Sequence, residues 1–553
     1  MATASPSTPS FSASFCCKRS VFNPLTRCFP SVALTQWTRS PTHRLVISSR
    51  VNSKSSGAGG SVSPDNGDEF NLYEMPKQFG AEQSKKKGSS VFVMLPVGAV
   101  EVEGKVRRKK IMFHSLKALA ASGVEGVVIE VWWGLVERDL PQVYNWQPYL
   151  ELVEMAEESG LKVRAVLAFH QCGNGPEDPY WVPLPRWVLE EIDKNPDLAY
   201  CDRFGRRNKE YISLGCDTLP VLRGRSPIQA YADFMRNFRD TFRPLLGGVI
   251  AGIQVGMGPA GELRYPSCPS KKLAWAWHSR ELGEFQCYDK YMLASLHACA
   301  HEVGMHEWGS GGPIGAGSLI QDPENSEFFR RNDGSWNTPY GKFFLEWYSG
   351  MLLLHGQRIC MDVENIFRGI EMNKSAKVAG IHWHYGIESH PSELTAGYYN
   401  TSARDGFLPI TEMFSRYRFT LCCSGFEKLD MEEKQLNPLS SPEDFLRQLL
   451  WSARICRIPV EGENSAPTWD HKSFQQVLKM RKFYSYGLKN ASFSFNFVRM
   501  DKHMFEGHNW ISFTRFVRQM SDDDLFRAKL EFGDDILSLM LDDANTWAAF
   551  ACG

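Results

Sequence analysis

Short apolar strands alternate with helix-patterned segments along most of the chain, and this alternation is the strongest constraint on the fold. Residues 91–95, 126–133 and 161–170 are predicted as buried strands, with helical apolar spacing between them over residues 110–121 and 149–159. The same patterns predict strands over residues 248–256, 378–385, 419–423, 455–460 and 493–498, and helices over residues 231–241, 289–303 and 445–453. The sequence therefore predicts repeated strand–helix units.

Repeated strand–helix units with strands buried on both faces predict a parallel β-sheet. Such a sheet closes in one of two ways, as a doubly wound open sheet or as a (β/α)8 barrel. The first strand is not followed by a GxGxxG motif, and the chain has no P-loop, which disfavours the nucleotide-binding open sheets. We therefore predict an α/β fold with a single TIM-type (β/α)8 barrel, long βα loops and a C-terminal extension.

The two ends of the chain differ from its middle. Residues 1–64 contain seven Lys or Arg and no Asp or Glu, are rich in Ser, Thr and Pro, and lack an apolar core of secretory-signal length. These features predict an organelle transit peptide for a plastid or mitochondrion, with a disordered tail as the alternative. We expect a polar linker over residues 65–89, the barrel over residues 90–520 and a helical extension over residues 521–553.

The composition limits which classes of binding partner are expected. Lys and Arg number 62 against 63 Asp and Glu, a balance that gives no reason to expect a nucleic-acid or anionic-membrane partner. No run of 18 apolar residues occurs, so no membrane span is predicted. The 14 cysteines include no CxxC pair and are interpreted mostly as small buried residues.

Charged and aromatic residues gather where the predicted strands end, which is where a barrel of this type holds its active site. The polar ones are Glu130, His170, Glu262, His382, Glu463 and Arg499, and Trp132, Trp133, Trp181 and Trp383 lie close to them in sequence. Carboxylates beside flat aromatic walls suit a sugar, whose ring faces stack while its hydroxyls form hydrogen bonds. The pattern predicts a carbohydrate site.

Two of these carboxylates, Glu262 and Glu463, lie in Gly-rich turns at different strand ends. Glycoside hydrolysis needs such a pair, one to protonate the leaving oxygen and one to activate water or attack the sugar. For either residue alone, a helix-cap or ion-pair role is the competing interpretation. A zinc site at His382 and His384 is a weaker hypothesis, because no third or fourth ligand follows at zinc spacing.

Several long strings around these residues resemble the plant β-amylase family, and in particular its plastid branch. This family consists of glycoside hydrolases that release maltose from the non-reducing ends of α-1,4-glucans. The strings are residues 126–134 (GVVIEVWWG), 169–173 (FHQCG), 256–267 (GMGPAGELRYPS), 283–291 (GEFQCYDKY), 341–350 (GKFFLEWYSG), 380–386 (GIHWHYG), 393–400 (ELTAGYYN) and 462–464 (GEN).

The resemblance implies inverting hydrolysis in a plastid stroma, with an α-1,4-glucan such as starch or maltodextrin as the substrate. It implies that Glu262 is the general acid, which would need a pKa raised by apolar packing, and that Glu463 is the ionised general base. It implies no metal or organic cofactor. The residues that it assigns to glucose binding are Glu130, His170, Asp178, Lys377, His382, Ser424, Asn464, Ser465 and Arg499.

Four features depart from the family pattern. Asn174, Pro176 and Glu177 alter the lid sequence, and Pro176 fixes one φ, so lid closure should be harder. Glu130 replaces an Asp and Ser424 a Thr. Glu461 lies two residues before the proposed base and would raise its pKa if the two side chains converge. These changes support an alternative function, a catalytically weak or inactive glucan-binding regulator of starch breakdown.

Overall fold

The computed structural model describes residues 88–173, 175–268, 282–318, 321–486, 488 and 491–521. The predicted transit peptide, nearly all of the predicted linker and the predicted extension beyond Ser521 lie outside the described residues, as does the lid residue Asn174. The domain boundaries at the two ends of the chain therefore stay predictions.

Eight parallel strands close into a barrel, which confirms the predicted fold class. The strands of the described residues are β1 Ser90–Met94, β2 Gly126–Trp132, β3 Lys162–Ala168, β4 Ala199–Cys201, β5 Arg207–Ile212, β6 Ile250–Val255, β7 Asn373–Val378, β8 Thr420–Ser424, β9 Val460–Glu463 and β10 Phe493–Phe497. Their order around the barrel is β1, β10, β9, β8, β7, β6, β3, β2. The remaining two strands, β4 and β5, form a separate antiparallel hairpin in the long connection between β3 and β6.

Helices cover the outside of the barrel between successive strands. Those of the described residues are α1 Lys109–Ser122, α2 Trp133–Val136, α3 Gln147–Glu158, α4 Arg186–Lys194, α5 Pro227–Thr241, α6 Lys290–Glu302, α7 Pro339–Ile366, α8 Pro391–Ala396, α9 Leu408–Arg416, α10 Asp430–Leu436, α11 Pro442–Ile455, α12 His471–Ser485 and α13 Gly507–Ser521. None of them is long and apolar enough to cross a membrane.

The core has two parts because each strand buries both of its faces. Between strands and helices lies a large apolar cluster, in which the Trp133 ring meets Phe169, Trp187 and Tyr231 edge to face at centroid distances of 5.4–6.0 Å. Inside the barrel, Phe92, Met94, Val128 and Val166 form a smaller apolar cluster on the β1–β2–β3 side. The opposite side of the interior is polar.

That polar interior explains why one predicted strand is wrong. The strand expected over residues 378–385 is β7, which runs over Asn373–Val378 and ends where the prediction begins. Alternate residues of β7, at Asn373, Ser375 and Lys377, are polar, so a search for apolar runs misses it. Residues 379–385 are instead a loop whose apolar side chains are buried.

The strand predicted over residues 455–460 is also displaced. Ile455 is the last residue of α11 and is 55% exposed, and β9 begins only at Val460. As a consequence, Glu463 is the last residue of a strand, not a residue of the following loop. Its backbone is therefore held on both sides by β8 and β10.

Candidate active site

A cavity of about 760 Å³ opens at the carboxyl ends of the barrel strands. This volume lies within the usual range for small-molecule sites. Ten of the eleven residues predicted to form the site line it, namely Glu130, His170, Glu262, Lys377, His382, Ser424, Glu463, Asn464, Ser465 and Arg499. The parallel barrel brings them together because it places every strand's carboxyl end on one rim.

The two candidate catalytic carboxylates share one ammonium group. Lys377 Nζ lies 2.8 Å from Oε2 of Glu463 and 3.9 Å from Oε1 of Glu262. Because both distances are measured from the same Lys377 nitrogen, their sum is an upper limit on the distance between Oε1 of Glu262 and Oε2 of Glu463. The strand ends of β6, β7 and β9 thus place an acid, a cation and a second acid around the same space in the cavity.

Glu463 is fully buried and is held as a carboxylate. Burial alone would raise its pKa, but the charge and hydrogen bond of Lys377 and the hydrogen bonds of Asn496 and Cys422 outweigh burial and lower the pKa below its usual range. Nδ2 of Asn496 donates to Oε1 of Glu463 at 3.1 Å. The arrangement suits a group that must accept a proton.

Glu262 does not have the apolar surroundings expected for it. Arg264 Nε donates to Oε2 of Glu262 at 2.7 Å, and both side chains are buried. With Lys377 on its other oxygen, Glu262 faces two cations, so the expectation of apolar packing is wrong. The reason is local, since Arg264 follows two residues later in the chain and its guanidinium folds back onto the carboxylate.

A half-buried carboxylate also holds the turn that carries Glu262. This turn, Pro259–Gly261, contains Ala260 with a positive φ of 53°. The Ala260 backbone N–H donates to Oε1 of Glu210, on β5, at 2.9 Å. Burial raises the pKa of Glu210, and the Arg264 charge and the Ala260 hydrogen bond oppose this rise. The β4–β5 hairpin therefore supports the turn that carries Glu262.

Glu461 does not converge on Glu463 in the way that would raise the pKa of the proposed base. Its carboxylate accepts a hydrogen bond from Asn373 Nδ2 and lies 3.4 Å from Arg164 Nη1. Both partners lie in the barrel interior below the cavity. The charge of Glu461 is therefore balanced by Arg164 inside the barrel, below the cavity.

Glu130 and Arg499 form a bidentate ion pair in the wall of the cavity. Arg499 Nη1 lies 2.8 Å from Oε2 and Nη2 lies 3.3 Å from Oε1 of Glu130. Nη1 also donates to the Leu95 carbonyl at 3.0 Å. Two predicted sugar-binding residues thus satisfy each other's hydrogen bonds.

Two buried nitrogen atoms at the cavity have no hydrogen-bond partner within the described part of the chain. They are Nε1 of Trp132 and Nδ1 of His170, whose rings meet edge to face at a centroid distance of 5.2 Å. Burial, with the nearby Arg264 and Lys377 charges, lowers the pKa of His170 to about 3. A neutral ligand rich in hydroxyl groups would satisfy both nitrogens.

The two histidines of residues 380–386 have separate partners. His382 Nδ1 lies 2.8 Å from Ser440 Oγ, and His384 Nδ1 lies 2.5 Å from Ser392 Oγ. Burial lowers the pKa of both imidazoles. The described residues contain no group of three or more His, Cys, Asp or Glu that would hold a metal ion, so the zinc hypothesis finds no support.

Asn464 and Ser465 join the ends of neighbouring strands. The Asn464 side chain accepts a hydrogen bond from the Val498 N–H at 2.8 Å and donates to the Val498 carbonyl. Oε1 of the buried Glu427 accepts hydrogen bonds from both the backbone N–H and the hydroxyl of Ser465. These contacts fix the loop that follows Glu463.

Asp178 is the one predicted site residue that does not line the cavity. Its carboxylate accepts the Tyr180 backbone N–H at 3.0 Å and lies against Gly173. Both Tyr180 and Gly173 line the cavity, while Pro176 and Glu177 are exposed. Asp178 therefore contacts two residues of the cavity rim without lining the cavity itself.

Three functional side chains, Glu210, Arg264 and Glu427, were missed by the sequence reasoning. Arg264 carried a local signal, a cation two residues after a candidate acid. Glu210 and Glu427 carried none, because each acts across a loop on a residue distant in sequence.

Known proteins resemble this chain over the same region. The model of glycosyl hydrolase family 14 matches residues 92–524. A chloroplastic β-amylase 1 of Arabidopsis thaliana is 49% identical, covering 80% of this chain and 77% of that protein. A chloroplastic β-amylase 2 of Oryza sativa subsp. japonica is 47% identical, covering 81% and 80%. The catalytic domain of a β-amylase from Paenibacillus polymyxa shares the fold, with a TM-score of 0.63, 24% identity and coverage of 77% of this chain and 97% of that one.

Proposed function

This chain belongs to glycosyl hydrolase family 14, and from that premise we propose that its cavity cleaves α-1,4-glucans from their non-reducing ends and releases β-maltose. The relatives that it matches over most of its length are named β-amylases. The protein is accordingly a starch-degrading, maltose-releasing hydrolase. The proposal concerns which residues perform the reaction and how.

The observation that carries this proposal is the pair Glu262 and Glu463, placed around one cavity and bridged by Lys377. Inverting glycosidases need two carboxyl groups far enough apart to admit a water molecule between base and sugar. The unpartnered Trp132 and His170 nitrogens beside this pair suit hydroxyl groups of a neutral sugar. A substrate of this class fits the chemistry of the wall.

Glu262 is proposed as the general acid. Since Arg264 Nε donates to Oε2, the proton that is given to the glycosidic oxygen is carried on Oε1. Arg264 thereby fixes the plane of the carboxyl group. The support of the turn by Glu210 fixes its position, which matters because catalytic groups act only within a narrow geometric range.

Glu463 is proposed as the general base. Its lowered pKa keeps it ionised, and a water molecule between it and the anomeric carbon would give up a proton to it as the new C–O bond forms. Inversion follows because the water attacks the face opposite to the leaving group. The remaining predicted residues are proposed to hold the glucose units: Glu130, His170, Asp178, Lys377, His382, Ser424, Asn464, Ser465 and Arg499.

Three of the relatives are named chloroplastic, and the protein is accordingly assigned to the plastid. We propose the stroma as its compartment and residues 1–64 as its transit peptide. Import of the full chain into isolated chloroplasts, followed by fractionation and N-terminal sequencing, tests both. Recovery of the uncleaved chain outside the organelle would contradict them.

The direct test is maltose release from soluble starch by the unmutated protein and by the E262Q and E463Q variants. We expect β-maltose as the first product, identified by NMR of the fresh reaction, and a loss of at least about 100-fold in each variant. Glucan binding measured on the same variants separates chemistry from recognition. Folded unmutated protein that binds glucan and releases no maltose would overturn the hydrolytic proposal and favour the glucan-binding regulator.

A further inference from the structure

A network of polar side chains lies inside the barrel directly below the proposed base. Its centre is Arg164 on β3, which crosses the interior to β10 and β9. Arg164 Nη1 donates to Oδ1 of Asn496 at 2.7 Å, and Nη2 donates to Oγ of Ser494 at 2.9 Å. Nη1 also lies 3.4 Å from Oε1 of Glu461. The network therefore joins three strands through one guanidinium.

The network is buried, and its charged groups contact one another, while Arg164 Nε and Glu461 Oε2 have no hydrogen-bond partner among the described residues. The side chain of Arg164 is 11% exposed and that of Glu461 is 1% exposed. The guanidinium also lies over the Phe92 ring, 3.8 Å from its centroid, on the apolar side of the interior. Since a buried charge is costly without a partner, Arg164 and Glu461 hold each other in place.

This pairing decides which way the amide of Asn496 points. An arginine side chain only donates hydrogen bonds, so the amide atom that faces Arg164 must be the oxygen. The amide nitrogen then faces Oε1 of Glu463, to which it donates at 3.1 Å. Arg164 thus determines that the proposed base meets a donor from below, and not a second acceptor.

The groups around Glu463 come from both strands that border β9, namely β8 and β10, and from β7 beyond β8. Lys377 on β7 approaches Oε2, and Asn496 on β10 approaches Oε1. Cys422 on β8 donates a hydrogen bond. At the cavity, Glu262 lies on the other side of Lys377, and Arg499 interacts with Glu463 through its charge. The Asn496 amide also accepts a hydrogen bond from Arg164 in the barrel interior.

We propose that Asn496 is a positioning residue, which Arg164 and Glu461 lock as a hydrogen-bond donor so that the Glu463 carboxylate keeps the orientation and charge of a general base. This inference rests on the proposed function, since that function makes Glu463 the base. Asn496 does not line the cavity. It acts on the reaction through Glu463 alone.

The test compares N496D with S494A. The N496D change is isosteric and leaves one oxygen for Arg164, while the other meets Oε1 of Glu463 as a second acceptor. When two carboxylates are in contact, one of the two apparent pKa values of the pair is strongly raised, and since Arg164 holds the introduced carboxylate ionised, the raised pKa falls mainly on Glu463. We expect the acid limb of the kcat/KM profile to move up by about one pH unit or more and kcat to fall about tenfold or more, with KM nearly unchanged. An acid limb that superimposes on that of the unmutated protein would overturn the proposal.

The S494A variant is the matched control. Ser494 lies on the same strand and contacts the same guanidinium, but the structure gives it no contact with Glu463. We expect its acid limb to stay in place. An S494A limb that moves as far as that of N496D would show a general effect of the interior and would overturn the specific role of Asn496.

A second measurement keeps this inference separate from the proposed function. If the unmutated full chain releases no maltose, the proposed function fails, and the contact itself is then tested by thermal unfolding at pH 7. We expect N496D to lower the unfolding midpoint in the unmutated background and much less in the E463Q background, where the introduced carboxylate gains an amide donor. Equal decreases in both backgrounds would overturn the positioning contact.

Discussion

Lys377 Nζ lies 2.8 Å from Oε2 of Glu463, and this ion pair sets the charge state of the proposed base. The ammonium is the largest influence that lowers the pKa of Glu463 against burial. In return, the carboxylates of Glu463 and Glu262 outweigh burial and raise the pKa of Lys377 well above its usual range. Both residues are therefore ionised at every pH between the lowered pKa of Glu463 and the raised pKa of Lys377.

We predict that K377M moves the acid limb of the kcat/KM profile to higher pH. Loss of the ammonium raises the pKa of Glu463, and since the base must be ionised, activity at acidic pH is lost first. We expect a fall of about 100-fold or more near pH 5 and partial recovery as the pH rises. The profile on maltodextrin, with K434M at a surface ion pair of α10 as the control, measures this effect. An unmoved acid limb would contradict the assignment of Glu463.

We predict that E130D lowers KM for maltodextrin. Glu130 holds Arg499 through two contacts, and a sugar hydroxyl must compete with them. The shorter side chain withdraws the carboxylate by about 1 Å and loosens the bidentate pair, a change worth ~1 kcal/mol or about fivefold in affinity. The E130Q variant, which leaves Arg499 without its counter-ion, should raise KM. Equal KM values in E130D and the unmutated protein would refute this competition.

We predict that D289N stabilises the protein at neutral pH. Asp289 is fully buried at the N-terminus of α6, where burial outweighs its hydrogen bonds and raises its pKa to about 6. Its folded pKa exceeds the unfolded value of about 3.9, so ionisation costs stability that grows from pH 4 and levels off above pH 6. At pH 7 the cost is on the order of 1–3 kcal/mol, and the amide avoids it while keeping a capping oxygen.

The measurement for D289N is the thermal midpoint between pH 4 and pH 8. The stabilisation should be largest at pH 7–8 and vanish near pH 4, where the aspartate of the unmutated protein is protonated. The D289A variant loses the hydrogen bonds to the Tyr291 and Met292 N–H groups and should be destabilised at every pH. A constant difference between D289N and the unmutated protein would contradict the raised pKa.

We predict that His170 and His382 stay neutral between pH 5 and 8. Burial is the largest cause of the lowered pKa of both imidazoles, and nearby cations add to it. Neither residue then accounts for a limb of the pH–rate profile in that range. NMR of the imidazole protons, assigned with the H170N and H382N variants, checks this. A resonance of either residue that titrates near pH 6.5 would refute it.

The barrel and the location of the site were predictable from the sequence because both depend on local patterns. Strand and helix periodicities are properties of neighbouring residues, and a parallel barrel then brings the strand ends to one rim. Glu262, Glu463 and eight of the nine predicted binding residues line the cavity for this reason. Asp178 is the exception, since it lies ten residues beyond the end of β3, where the local fold of the loop directs its side chain.

One of the two strand errors arose where the interior of the barrel is polar. The expectation for β7 failed because Asn373, Ser375 and Lys377 break up the apolar run that defines a buried strand. The sequence of β10 does indicate a polar interior face. Ser494 and Asn496 alternate with Phe493, Phe495 and Phe497, which places polar groups on one face of the strand.

The sequence by itself determined the barrel, the rim on which the site lies and the two carboxylates, since these follow from periodicity and from position along each strand. Only the tertiary structure decided the partners of those groups. Arg164 meets Asn496 across 332 residues, and Arg499 meets Glu130 across 369. Barrel closure, which pairs β1 with β10, creates such contacts. Periodicity fixes the face on which a side chain lies but not its partner across the barrel, so the electrostatics of the site belong to the fold.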